Sequence, residues 1–381
     1  MISKRYRSFL LLILCVPLLM YWTACQSQSQ SQTGNVTLED KVGQLLMVGF
    51  RGFELSDTSH ISRDISEYNL GGVILFDVDV PTGQPIRNID SFSQVRSLNA
   101  SLQREASTPL LIAIDQEGGR VARLKPAKGF PETVSAEYLG ELDNLDTTRT
   151  YASEQTALLD SLGINVNFAP VVDLNTNPEN PVIGSIERSY GANPELVTRH
   201  ARIVIEEHQQ SNLLPVIKHF PGHGSAWNDS HVGMADVTDT WADVELEPYR
   251  NLAETGYNFG VMTAHVLNRK LDEELPATLS EPIQTGLLRE TIGFEGVLFS
   301  DDMQMEAIRS FYGLEFAIEN ALNAGVDMLV FGNNSVYQPN IVPDAVDIIV
   351  DLVESGAVSE ARINEAYNRV TTAKQNLGLI K

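Results

Sequence analysis

Three features of the sequence predict an α/β chain folded as a single (β/α)8 TIM-type barrel. Eight short apolar runs read as strands, amphipathic stretches separate most of them, and polar side chains collect where the runs end. Thr37-Leu38-Glu39-Asp40 has the form of a capping box and should open a short helix before the first strand. Strands are expected at 44–50 and 71–76, each nearly continuous in apolar residues, as in a parallel sheet buried on both faces. A helical pattern at 91–106 precedes a strand at 109–115, and one at 146–162 precedes a strand at 166–173. The helix at 194–211 leads to a strand at 215–219, and the helix at 242–255 leads to one at 260–266. A strand at 296–301, a helix at 303–324, a strand at 327–332 and a helix at 343–354 complete the pattern. A doubly wound open sheet would need a glycine-rich phosphate loop after its first strand. Gly49-Phe50-Arg51-Gly52 is a poor match to one.

The N-terminus stands apart from this pattern. Lys4, Arg5 and Arg7 precede an apolar run at 9–20, which is short for a membrane span and suited to a secretory signal. Thr23-Ala24-Cys25 resembles the lipobox of bacterial lipoproteins, with Trp22 where a leucine-like residue is usual. The expected organisation is a lipoprotein signal peptide at 1–24, lipidation at Cys25, a Gln/Ser tether at 25–36 and the barrel at 37–381. That organisation implies an exported protein of the cell envelope, held to the membrane by a lipid anchor only. Cys15 and Cys25 are the only cysteines, so the barrel has neither disulfides nor thiol chemistry. The formal net charge of −23 argues against nucleic acid as a partner, because phosphates would be repelled.

Asp115, Asp173, Lys218-His219, His265, Asp301 and Asn333 fall at or just past the C-terminal ends of different predicted strands. In a barrel those ends share one face, the face that carries active sites. Asp115-Gln116-Glu117-Gly118-Gly119-Arg120 follows the third strand, and its glycine pair lets the backbone turn sharply. Asp115 is the expected ligand contact, with Arg123 able to reach the same pocket; Glu117 and Arg120 are expected to be structural. Lys218-His219-Phe220-Pro221-Gly222-His223-Gly224 forms a turn-rich loop, followed by Asp229-Ser230-His231. Asp229 and His231 stand two apart, so in extended backbone the carboxylate can hold the imidazole for acid–base work. Asp301 ends a buried strand, which suits a nucleophile that must be ionised and held in line, while Asp302 is expected to cap the next helix.

Together these pieces resemble glycoside hydrolase family 3, and within it the β-N-acetylglucosaminidase branch. The likeness rests on residues 114–121, Ile186-Glu187-Arg188-Ser189-Tyr190-Gly191, the histidine-rich loop with Asp229-Ser230-His231, and Phe299-Ser300-Asp301-Asp302-Met303. It implies that Asp301 is the nucleophile and that His231, paired with Asp229, is the acid/base. Asp115, Arg123, Arg188, Lys218 and His219 would bind the sugar in the −1 subsite, and His223 would be a turn residue. Many members carry Asp-Thr where this chain has Ser225-Ala226. Many β-glucosidases of the family draw their acid/base from a second domain, for which this chain is expected to be too short, so the dyad must serve.

The implied reaction is retaining hydrolysis of terminal β-linked N-acetylhexosamine, from peptidoglycan fragments or chitin-type oligosaccharides, through a covalent glycosyl-enzyme. No cofactor or metal is required, and a monomer is compatible with it. A zinc hydrolase using His219, His223, Asp229 and His231 is disfavoured, because Pro221-Gly222 breaks any helix that would align the first two. Two further functions fit the same residues: a β-N-acetylglucosaminide phosphorylase on the same site, and a non-catalytic cell-wall-binding lipoprotein.

Overall fold

The computed structural model describes residues 36–56 and 59–381. The chain divides into Met1–Val36 and a compact unit, Thr37–Lys381. The signal peptide, Cys25 and nearly all of the tether therefore lie outside the described residues.

Helix α1, Leu38–Gln44, opens the unit through the expected capping box. The Thr37 hydroxyl accepts from the Asp40 amide and the Asp40 carboxylate accepts from the Thr37 amide, both at 3.1 Å. The barrel strands are β1 (Leu46–Gly49), β2 (Gly72–Leu75), β3 (Leu111–Ile114), β4 (Val166–Asn167), β5 (Leu214–Phe220), β6 (Gly260–Thr263), β7 (Leu298–Phe299) and β8 (Leu329–Phe331). Every strand residue is buried, as expected for a sheet covered by helices outside and packed side chains inside. Neighbours pair in parallel from β8 through β1 round to β7. The ring is completed by a parallel bridge between Phe299 and Met328 and by the Ser300 amide donating to Met328 O at 2.9 Å.

The outer helices are α2 (His60–Tyr68), α3 (Phe92–Glu105), α4 (Ala136–Leu142), α5 (Leu145–Ser161), α6 (Pro194–Gln210), α7 (Glu247–Ala253), α8 (Glu306–Arg309), α9 (Leu314–Ala324), α10 (Ile341–Ser355) and α11 (Glu360–Asn376). The sequence pattern does not mark α2 or α4, nor the π-helix Pro282–Thr291 that fills the place between β6 and β7. The strand expected at 166–173 is regular only over Val166–Asn167. Pro170 brings no N–H to the ladder, and the chain rejoins β5 by an isolated Val171–Lys218 bridge. The helix expected at 303–324 is two helices, the second starting after Gly313.

At the opposite end of the barrel, Asp327 collects Arg289, Arg362 and Arg369 at 2.7, 2.8 and 3.2 Å and accepts from the Leu298 amide at 2.9 Å. This cluster ties α11 and the π-helix to the β7–β8 junction.

Candidate active site

The C-terminal strand ends surround a cavity of about 320 Å³. Seven of the eight residues to which the resemblance gives catalytic or sugar-binding roles line it: Asp115 after β3, Arg123 beyond it, Arg188, Lys218 and His219 in β5, His231, and Asp301 directly after β7. Asp229 stands behind His231.

One wall is a chain of opposite charges. Lys218 Nζ lies 2.8 Å from Asp115 and 2.6 Å from Glu117, with its side chain almost wholly buried. Arg123 reaches the other Asp115 oxygen at 3.1 Å. Arg188 grips Glu117 through two hydrogen bonds of 2.8 and 2.7 Å, a bidentate pairing that fixes the guanidinium plane. Burial alone would raise the pKa of both acids. For Asp115 the charges of Lys218 and Arg123 outweigh it, and for Glu117 those of Arg188 and Lys218, so both are held below their ordinary values. Glu117, expected to be structural, is held in ion pairs with Arg188 and Lys218 and also lines the cavity, whereas Arg120 points away to a surface pair with Glu187. The wall is sharp because Gly118 and Gly119 have φ of +110° and +56°, and a Cβ on Gly118 would lie 2.3 Å from Val134 O.

His219 is fixed from both sides. Arg188 can only donate, so its 3.2 Å contact makes His219 Nε2 the acceptor and puts the proton on Nδ1, which donates to Asp173 at 2.7 Å. The other Asp173 oxygen accepts from the His223 amide at 2.7 Å. Asp173 therefore holds a cavity-lining imidazole in one tautomer, a role the sequence marks only by its place at a strand end.

Asp301 accepts from the Asp302 amide at 2.8 Å, and its own amide reaches Thr263 at 3.3 Å. Burial opposes its ionisation, but the field of His265, His219 and His231 more than offsets this and holds the carboxyl below its usual range. Asp302 caps no helix. It accepts from the Gln304 and Gly332 amides at 3.0 and 2.8 Å, pinning the end of β8, and burial pushes it up to about 6. His265 donates to Asp302 O at 2.9 Å and braces this turn.

His231 Nδ1 lies 2.7 Å from Asp229, whose same oxygen accepts the His231 amide at 2.8 Å. With Nδ1 bound, Nε2 is left for the cavity. The Asp229 hydrogen bond raises the His231 pKa, burial works against it, and Asp301 adds to the rise. An ionised carboxylate and a cation-favouring imidazole therefore border one sugar-sized cavity.

A parallel barrel carrying this pair of groups has the architecture of a barrel glycosidase. The description Glycosyl hydrolase family 3 N terminal domain matches residues 37–373, and the chain belongs to that family. It is 34% identical over 337 residues to a beta-hexosaminidase of Nitrosomonas eutropha, covering 86% of this chain and 89% of that one. It is 32% identical over 388 residues to beta-hexosaminidase A of Pseudoalteromonas piscicida, covering 90% of this chain but 62% of the relative. The solved structure of a glycoside hydrolase family 3 beta-N-acetylglucosaminidase from Paenibacillus sp. strain FPU-7 superposes with a TM-score of 0.82 at 38% identity, over 90% of this chain and 63% of that one. The chain thus spans somewhat under two thirds of the length of the last two.

Proposed function

We propose that this protein is a retaining exo-β-N-acetylglucosaminidase that removes terminal β-linked N-acetylhexosamine from peptidoglycan fragments or chitin-type oligosaccharides. The observation that carries the reading is the ionised Asp301 sharing one cavity with the Asp229–His231 dyad. In the first step an Asp301 oxygen bonds to the anomeric carbon, while His231 Nε2 gives its proton to the departing oxygen. In the second, His231 takes a proton from water, whose oxygen displaces Asp301, and the sugar leaves with its original configuration. Asp229 sets the tautomer and stabilises the imidazolium. Asp115, Arg123, Arg188, Lys218 and His219 bind the sugar hydroxyls, an assignment supported by the fixed donors and acceptors of the wall.

The test is proton NMR of the first product formed from 4-nitrophenyl β-N-acetylglucosaminide. The β-anomer of N-acetylglucosamine is expected, and the α-anomer would contradict the mechanism. Mass analysis of products from both oligosaccharide classes, with and without phosphate, identifies the natural acceptor and donor. We also propose export and lipid anchoring at Cys25, supported by the basic n-region, the apolar run and Thr23-Ala24-Cys25. A Cys25→Ser variant should move from the membrane fraction to the soluble one.

A further inference from the structure

The loop between β5 and the catalytic histidine has a rigid base and a loosely held tip. The base, 222–226, is fixed from several sides. Asp173 accepts from the His223 amide, Asn180 donates to His223 O at 2.7 Å, and Asn177 donates to Ala226 O at 2.8 Å. The glycines leave no slack: a Cβ on Gly224 would lie 1.7 Å from Leu174 O, and one on Gly222 2.7 Å from a Glu245 oxygen. His223 is consequently held at 2% exposure. Beyond Ala226 the chain turns outward, and Trp227 and Val232 are 59% and 76% exposed.

Ser230 is the exception within this tip. It sits between Asp229 and His231 yet is 2% exposed. Its hydroxyl meets His223 Nε2 at 3.2 Å, and its carbonyl accepts from the Ala307 amide at 3.4 Å. Among the described residues these are the only hydrogen bonds from residues 227–234 to the rest of the protein. The remaining ones, His231 N and Nδ1 to Asp229 and Val232 N to Asp229 O, stay within the tip.

We infer that His223 and Ser230 are positioning residues, forming a latch that docks the acid/base tip over the cavity. The latch joins three parts that must act together. Through Asp173, His223 shares a support with His219. Through Ser230 it holds the segment carrying His231. Through Ala307, Ser230 is tied to helix α8, which follows the Asp301 turn. Burial, followed by the neighbouring His219, pushes the His223 pKa down to about 4, so its imidazole is neutral in neutral solution and the contact is an uncharged hydrogen bond. Such a bond suits a latch that opens each cycle: strong enough to set geometry, weak enough to release product.

The inference rests on the glycosidase reading, and the experiment separates the two. Wild type, Ser230→Ala and Ser230→Thr are compared on a series of aryl β-N-acetylglucosaminides with good and poor leaving groups, using kcat/KM, which reports the first chemical step. Amide hydrogen exchange of residues 227–234 is followed in parallel. Ser230→Ala is expected to lose roughly tenfold on poor leaving groups, the effect of one neutral hydrogen bond, and little on 2,4-dinitrophenolate, which needs no acid. Exchange in the tip should quicken, and Ser230→Thr should restore both. An equal loss across all leaving groups would overturn the latch, as would unchanged exchange. Wild-type protein inactive on the whole series would instead refute the glycosidase reading, and the exchange rates would then decide for or against the latch independently.

Discussion

At the scale of the residue, the site works by keeping two titratable groups apart in pKa. Asp301 is held low by surrounding imidazoles and His231 is held high by Asp229. The enzyme should therefore be active between the two, with Asp301 deprotonated and His231 protonated. Raising the pH removes the acid as it passes the His231 pKa. Asp229→Ala deletes the largest influence raising that pKa, so the alkaline limb of kcat/KM should move to lower pH, with a loss of about 10²–10⁴ in rate. A limb that stays in place would show that another group is titrating. Asp115, Lys218, His219 and Asp301 are legible in the sequence because each sits at a strand end, where the fold aims it, whereas Arg123, Arg188 and the Asp229–His231 dyad lie on loops and are legible only through the motifs that carry them. The roles of Glu117 and Asp173 are not, because they depend on partners 71 and 46 positions away, Arg188 and His219. Asp302 has the sequence setting of a helix cap, yet its partner amide on Gly332 lies just past the end of the next strand.

At the scale of the element, the strands are the most readable feature, because burial on both faces writes them as apolar runs. Their ends are less so. The 166–173 run is largely apolar, but the regular ladder ends at Asn167, and Pro170 leaves only an isolated bridge at Val171 beyond it. Helices α2 and α4 are short, and Pro282 and Gly286 punctuate the π-helix segment as a turn would. The β5 loop shows how tightly backbone approach controls the site. Gly224→Ala places a methyl against the Leu174 carbonyl, and backbone rather than a flexible side chain must yield. A stability loss of about 1–3 kcal/mol is expected in urea melts, together with a fall in activity as the loop shifts. Wild-type stability and rate would mean the loop has room that this packing denies.

At the scale of the whole molecule, the barrel separates its tasks by face. The C-terminal mouth holds the chemistry, and the Asp327 cluster at the other end holds the ring closed. Asp327→Ala would leave Arg289, Arg362 and Arg369 crowded without their anion, at a cost of about 3–5 kcal/mol by chemical denaturation. The pH profile of the residual folded enzyme should be unchanged, because the cluster is remote from the mouth; a shifted profile would show that the faces are coupled. The central claim is that Asp301 carries the sugar covalently while His231 moves the proton. The most direct measurement uses His231→Ala with 2,4-dinitrophenyl β-N-acetylglucosaminide, quenched during turnover and analysed by peptide mass spectrometry. The first step needs no acid for this leaving group, and the second lacks its base, so a glycosyl-enzyme should accumulate with one N-acetylhexosaminyl group on the peptide containing Asp301. Turnover with no adduct, or an adduct on a different carboxylate, would contradict the account.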